Sequence, residues 1–126
     1  MISVTKTFEF ESAHLLPDYE GPCGVLHGHS YKLEIEVDGP PVASVAEPYP
    51  SIIVDFKELK EIVRVLIIDR LDHSYLNEKS MFRGCAPTAE TMVDWISSEL
   101  LRIFKHHLRR VRLWETSTSY AEWRPD

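Results

Sequence analysis

The sequence predicts an α+β domain in which two helices cover one face of a four-stranded, mostly antiparallel sheet, in the order strand, strand, helix, helix, strand, strand (ββααββ). Period-two alternation of apolar and polar residues marks strands at both ends of the chain, and two segments between them carry apolar residues at helical spacing. A chain of 126 residues, 44% hydrophobic and 27% charged, supports one core and leaves no room for a second domain, so residues 1–126 are read as a single unit. Amphipathic helices laid on one face of a sheet hide the apolar sides of both.

Ile2, Val4, Phe8 and Phe10 share even parity while Thr5, Thr7, Glu9 and Glu11 take the other face, which describes a half-buried first strand with His14 on its buried side. In the second strand Tyr31, Leu33, Ile35 and Val37 alternate with Lys32, Glu34, Glu36 and Asp38, and His27 and His29 have the parity of the apolar set. Pro40, Pro41, Pro48 and Pro50 then exclude a regular element between Gly39 and Ile53, which reads as a long loop, a lid or a subunit contact. Asp55 with Glu58 three residues on is an N-cap signature, and Phe56, Leu59, Ile62, Val63, Leu66 and Ile67 then repeat at the spacing of a helix ending near Arg70. The stretch from Leu71 to Pro87 reads as irregular. A second helix starts at Thr88, buries Met92, Val93, Ile96, Leu100, Ile103 and Phe104, and places Lys105, His106 and His107 in its last turn, where the helix dipole favours cations. Val111 and Leu113 belong to a third strand, and Ser119 to Trp123 supplies a fourth after a short Thr-Ser turn.

Fourteen Lys and Arg against twenty Asp and Glu give a net charge of -6, which argues against general nucleic-acid binding, because phosphate affinity rests on clustered cations. The N-terminal residues build no apolar signal segment, and the longest aliphatic run, Val65 to Ile68, is far below the roughly 20 residues of a membrane span. A cytoplasmic protein without a membrane partner is the expectation, and in a reducing compartment the two cysteines, Cys23 and Cys85, are expected as free thiols.

Burying three imidazoles without purpose is costly, so His14, His27 and His29 form the first candidate site. Residues two apart on a strand project the same way, and His27-Gly28-His29 offers two nitrogens to one ion while the slim glycine lets the backbone pass close by. His14 completes a three-imidazole set from the neighbouring strand. Three protein ligands with an open fourth position is the pattern of catalytic zinc. Cys23, four residues before His27, has three readings: a fourth ligand that closes the shell, a free thiol activated as base or nucleophile, or a small core residue. Asp72-His73 is either a carboxylate that poises an imidazole for proton transfer or a pair at a helix end. Glu115 shares the parity of Val111 and Leu113, so its carboxylate points inward and needs a partner: a planar pair of ligand N–H donors, an internal Arg112 or Arg83, or water at the strand end.

FESAH, CGVLHGHSYKLEIEV, IVDFKELK, LDHSYLN, PTAET and LWET, in that order, resemble the 6-pyruvoyltetrahydropterin synthase and 6-carboxytetrahydropterin synthase family along nearly the whole chain. The resemblance implies the tunnelling fold, in which the sheets of several subunits join edge to edge into a barrel, commonly a homohexamer built as a dimer of trimers. Carried over residue by residue, it implies Zn2+ on His14, His27 and His29, a catalytic Cys23, a proton relay of Asp72 and His73, and Glu115 as the carboxylate that anchors the pterin ring. It also implies that Thr88 and Glu90 lie near the pterin. Thr91 stands where relatives carry Asn, and the proline-rich segment replaces a shorter turn.

The three residues between Cys23 and His27 are similar to the spacing in bacterial carboxy-forming enzymes. The resemblance therefore implies a zinc-dependent lyase that converts 7,8-dihydroneopterin triphosphate to 6-carboxy-5,6,7,8-tetrahydropterin with release of acetaldehyde and triphosphate, on the way to queuosine and other deazapurines. The alternatives are a pyruvoyl-forming synthase or related side-chain lyase and, outside enzymes, an oligomeric binding module with a closed structural zinc site. Lys32, Lys79 and Arg83 are candidates for the triphosphate by location.

Overall fold

A computed structural model describes residues 2–39 and 53–126. In chain order the elements are β1 (Ser3–His14), β2 (His27–Asp38), α1 (Phe56–Val63), α2 (Asp69–Leu71), β3 (Ser74–Tyr75), α3 (Ala89–Phe104), β4 (Leu108–Thr116) and β5 (Ser119–Trp123). They build a mixed sheet of order β3-β1-β2-β4-β5, with the helices against one face. β1, β2, β4 and β5 pair antiparallel with their neighbours, as expected.

The expected four-stranded antiparallel sheet is corrected by a fifth strand. β3 runs parallel to β1, with Ser12 opposite Ser74 and Ala13 opposite Tyr75. Two residues are too few to show a period in sequence, and what fixes them is hydrogen bonding to the edge of β1. The backbone N–H of Glu11 donates to Asp72 Oδ1 at 2.9 Å, and the N–H of His73 donates to the Glu11 carbonyl at 2.6 Å. The proline-rich segment, with the lid or subunit contact read from it, lies outside the described residues except at its ends.

Alternation along the strands does as predicted. Phe10, Tyr31, Leu33, Ile35, Val37, Val111 and Leu113 reach one core from the sheet, and Leu59, Val63, Ile67, Leu71, Met92, Ile96, Leu100 and Phe104 reach it from the helices. Ile2 departs from its expected place: it precedes the first paired residue and is 75% exposed. In β4 a bulge opposite Glu36 and Val37 sets Leu108 and Val111 on the same face although three positions separate them.

Asp55 caps α1 through its carboxylate, which accepts the Lys57 N–H at 2.8 Å. Between α1 and α2 the helix widens into a π-helical segment, Arg64–Ile68. Leu59, Val63, Ile67 and Leu71 are fully buried at intervals of four. In a regular α-helix each such interval drifts by about 40°. The wider turn advances less per residue, so it cancels part of that drift and keeps the row facing the sheet. Thr88 caps α3 by accepting the Thr91 N–H at 3.1 Å. That helix stops at Phe104, because Lys105 has φ 53 and turns the chain; Lys105, His106 and His107 form a separate 3-10 turn, so the basic trio lies outside the last helical turn where the sequence placed it. Among the described residues no helix is long and apolar enough to cross a membrane.

Ile96 sits at the centre of the interface between α3 and the sheet with no exposed surface. Ile96→Ala is expected to lower unfolding free energy by about 2–5 kcal/mol, read as a lower urea midpoint in circular dichroism.

Candidate metal centre and substrate pocket

β1 and β2 bring the three imidazoles together through register alone. His14 is the partner of His27 and Ser12 is the partner of His29, so all three side chains stand on the core face at one end of the sheet. Ring centroids lie 4.6 Å apart for His14 and His27, 5.0 Å for His14 and His29, and 4.8 Å for His27 and His29. One ligand nitrogen from each falls within 4.8 Å of the others.

Hydrogen bonds decide which nitrogens are offered. His14 Nδ1 lies 2.8 Å from the Pro87 carbonyl, and His27 Nδ1 lies 2.6 Å from the Val25 carbonyl. A carbonyl oxygen only accepts, so both Nδ1 atoms carry hydrogen, and Nε2 is the atom that each ring can offer to a metal. His29 Nε2 is buried with no hydrogen-bond partner among the described residues. Burial, aided by His14 and His27, holds His29 below the usual imidazole range, against the opposing influence of Glu115. The neutral ring that results is the form that binds a metal. This donor set, with one orphaned nitrogen and two carbonyl-oriented rings, fits a divalent cation of imidazole preference such as Zn2+. Gly28 needs a different explanation from the one its slimness suggested. It faces the opposite side of the sheet, and an added Cβ would meet only the Ser12 carbonyl oxygen, at 3.4 Å.

His14 brings the cluster to the edge of a cavity of about 700 Å³ between the start of α3 and the β4–β5 end of the sheet, which His27 and His29 do not line. His14, Cys23, Thr88, Glu90 and Glu115 all line it, so five of the nine residues singled out in sequence share one pocket. Glu115 Oε1 is 3.8 Å from His29 Nε2 and Glu115 Oε2 is 3.9 Å from His14 Nε2. No arginine among the described residues pairs with it; Arg112 is taken by Glu122 and Glu34. Thr88 spends its hydroxyl on the helix cap, and Glu90 is exposed at the pocket wall.

Cys23 sits in a 3-10 turn, Pro22–Gly24, as a free, half-buried thiol, and Cys85 is a free thiol as well. The imidazole cluster does not include Cys23, so the closed four-ligand shell is not the arrangement seen. Gly24 shapes this turn by close approach: a Cβ there would overlap the Tyr19 carbonyl oxygen.

The structure does not bring Asp72 and His73 into the same pocket. They are paired, His73 Nδ1 to Asp72 Oδ1 at 2.9 Å, but His73 has φ 56 and its side chain is 79% exposed. It lines a separate, shallower depression with Glu11, His29, Ser30, Ser74 and Tyr75, apart from the cavity that holds Cys23 and Glu115. Asp72 lies below the ordinary carboxyl range because the Glu11 N–H donates to it, with His73 adding to the effect. The triphosphate candidates also miss the pocket, which Lys32, Lys79 and Arg83 do not line; Lys32 lies over the Trp114 ring instead. Sequence reading overlooked Asp94 and Glu122 as lining residues, since neither stands in a motif.

The family described as 6-pyruvoyl tetrahydropterin synthase matches residues 3–126. The chain belongs to that family. A 6-carboxy-5,6,7,8-tetrahydropterin synthase of Haemophilus influenzae is 33% identical over 141 residues, covering 98% of this chain and 99% of the relative. One from Synechocystis is 34% identical over 120 residues, covering 95% and 91%. The structure of the Caenorhabditis elegans 6-pyruvoyl tetrahydropterin synthase superposes with a TM-score of 0.80 at 20% identity, over 99% of this chain and 96% of that one, and shares the fold. This member of the pterin synthase family is thus an enzyme of lyase type, and the matched span contains all the site residues above.

Two outcomes follow for the family member's site. Gly24→Ala is expected to displace the Cys23 turn while sparing the core, seen as changed alkylation of Cys23 with an unchanged far-ultraviolet spectrum. A carboxylate depressed in the folded state adds stability that is complete above its unfolded pKa, about 4, and is lost as pH falls through the folded value. The urea midpoint of Asp72→Asn should therefore lie below that of the parent above pH ~4 and approach it at lower pH.

Proposed function

We propose that the chain is a zinc-dependent 6-carboxytetrahydropterin synthase that converts 7,8-dihydroneopterin triphosphate to 6-carboxy-5,6,7,8-tetrahydropterin, acetaldehyde and triphosphate, in the cytoplasm and toward queuosine and related deazapurines. The observation that carries the proposal is the set of three imidazoles, one with an orphaned Nε2, whose His14 lines a pocket together with Cys23 and Glu115. It is the activity named for the Haemophilus and Synechocystis relatives, and the short spacing from Cys23 to His27 agrees with it.

His14, His27 and His29 would hold Zn2+, which supplies Lewis acidity to the hydroxyls of the substrate side chain. Glu115 accepts two N–H donors from the amino-pyrimidinone edge of the ring, which satisfies a half-buried carboxylate that has no arginine. Thr88 and Glu90 border the same ring space at the start of α3. Cys23, as thiolate, takes a proton from the side chain beside the imidazole cluster.

Glu90, Asp94, Glu115 and Glu122 line the pocket, the last with its carboxylate held by Arg112 and Arg124, and no lysine or arginine among the described residues lines it. A triphosphate tail needs cations, so this reading requires a second copy of the chain at the pocket mouth. The same copy would carry its own Asp72–His73 pair to the substrate, since in one chain that pair lies away from Cys23. A homohexamer, as a dimer of trimers with sheets joined at their edges, meets both needs and covers the exposed edge of β5.

Incubation of the zinc-loaded protein with 7,8-dihydroneopterin triphosphate should yield the 6-carboxy product and acetaldehyde by mass spectrometry. Cys23→Ala is expected to lower turnover by at least about a hundredfold with zinc retained. A pyruvoyl product would replace the carboxy-forming reading, and near-normal turnover of Cys23→Ala would end the role given to the thiol.

A further inference from the structure

We infer that Asn77 is a positioning residue that fixes the metal ligand His14 and the thiol turn of Cys23 relative to each other; this rests on the proposed function. Asn77 lies in the 3-10 turn Leu76–Glu78, just past β3. Its side-chain amide grips both backbone groups of Leu15: the Leu15 N–H donates to Oδ1 at 3.1 Å, and Nδ2 donates to the Leu15 carbonyl at 3.0 Å.

This amide takes the place of a peptide unit. The parallel pairing of β1 with β3 ends at Ala13 and Tyr75, and Asn77 carries the bonding onward to Leu15 after the strand has stopped. Leu15 directly follows His14. The next residue, Leu16, donates its N–H to the Cys23 carbonyl at 2.8 Å. A continuous path therefore runs from the Asn77 amide through Leu15 to His14 on one side and through Leu16 to the Cys23 turn on the other.

The imidazole of His14 has its own tether to Pro87, and among the described residues the backbone that follows it is held on the β3 side by that amide pair.

 

With that pair removed, two half-buried backbone groups lose their partners and the distance between His14 and Cys23 is free to change. Outer partners of metal ligands commonly control affinity by 10–100-fold, and small misplacements of reacting groups lower rates on a similar scale.

The test uses full-length protein carrying Cys85→Ser, which leaves Cys23 as its one thiol, with Asn77→Ala and Asn77→Asp made in that background. Three quantities are read: Co2+ affinity and visible spectrum of the metal-free protein without substrate, kcat and KM on the pterin triphosphate with zinc, and melting temperature. Asn77→Ala should bind Co2+ about tenfold more weakly or worse, with an altered cobalt spectrum, and lose kcat about tenfold or more while KM stays within about twofold. Asn77→Asp keeps an acceptor for the Leu15 N–H and loses the donor to its carbonyl, so it should fall between. A folded Asn77→Ala with parental cobalt spectrum, cobalt affinity and kcat overturns the inference, as does a loss that merely follows the unfolded fraction. If Asn77→Ala does not fold, parental values in Asn77→Asp overturn it equally. A parent protein that takes up no Co2+ and forms no product removes the proposed function itself, and the inference with it.

Discussion

The pairing of β1 with β2 is the constraint on which the site depends. Its register runs without a break from Ser3 opposite Asp38 to His14 opposite His27, and the core rows set it: Phe8 opposite Leu33, Phe10 opposite Tyr31. A slip of one residue would turn Phe10 outward and carry His14 to the opposite face with it. The energy that holds the imidazoles together is therefore mostly the burial of apolar side chains farther along the same strands. Phe10 and Tyr31, stacked at 5.0 Å beneath the histidines, are the nearest part of that support.

The two faces of the sheet divide the chemistry. On the core face, polar groups are few and each is constrained. Tyr31 is fully buried, its hydroxyl has no partner among the described residues, and burial pushes its phenol up, with Glu115 adding to the shift, so it remains neutral beside the histidines. On the other face Arg110 and Arg112 lie among Glu34, Glu36 and Glu122 in a lattice of ion pairs, with Trp114 Nε1 donating to Glu34 at 2.5 Å. Single pairs of this kind contribute little, and a shared lattice mainly keeps like charges from facing one another across neighbouring strands.

What could be read in advance follows from the range of each signal. Parity is local, so His14, His27, His29 and Glu115 were legible as inward-facing from their own strands, and the cap Asp55 and the start of α3 at Thr88 were legible from adjacent residues. The position of His73 was not legible, because one backbone angle, φ 56, turns it away from the pocket and nothing in Asp72-His73-Ser74 announces that turn. β3 and the Asn77 clamp depend on contacts across about sixty positions, made to backbone groups that look alike at every residue. That no lysine or arginine among the described residues lines the pocket was equally hidden, since both are present in the chain and only the fold shows where they lie.

The bond from His14 to the Pro87 carbonyl joins the sheet to the entry of α3, one residue before its cap. Proline has no N–H to enter a ladder, yet its carbonyl remains free to serve the ring. Through this contact, filling the imidazole cluster and docking the helix layer are thermodynamically linked: a ligand that favours the tethered ring also favours the seated helix. The wall of the pocket is thereby made firmer by the same event that prepares its floor.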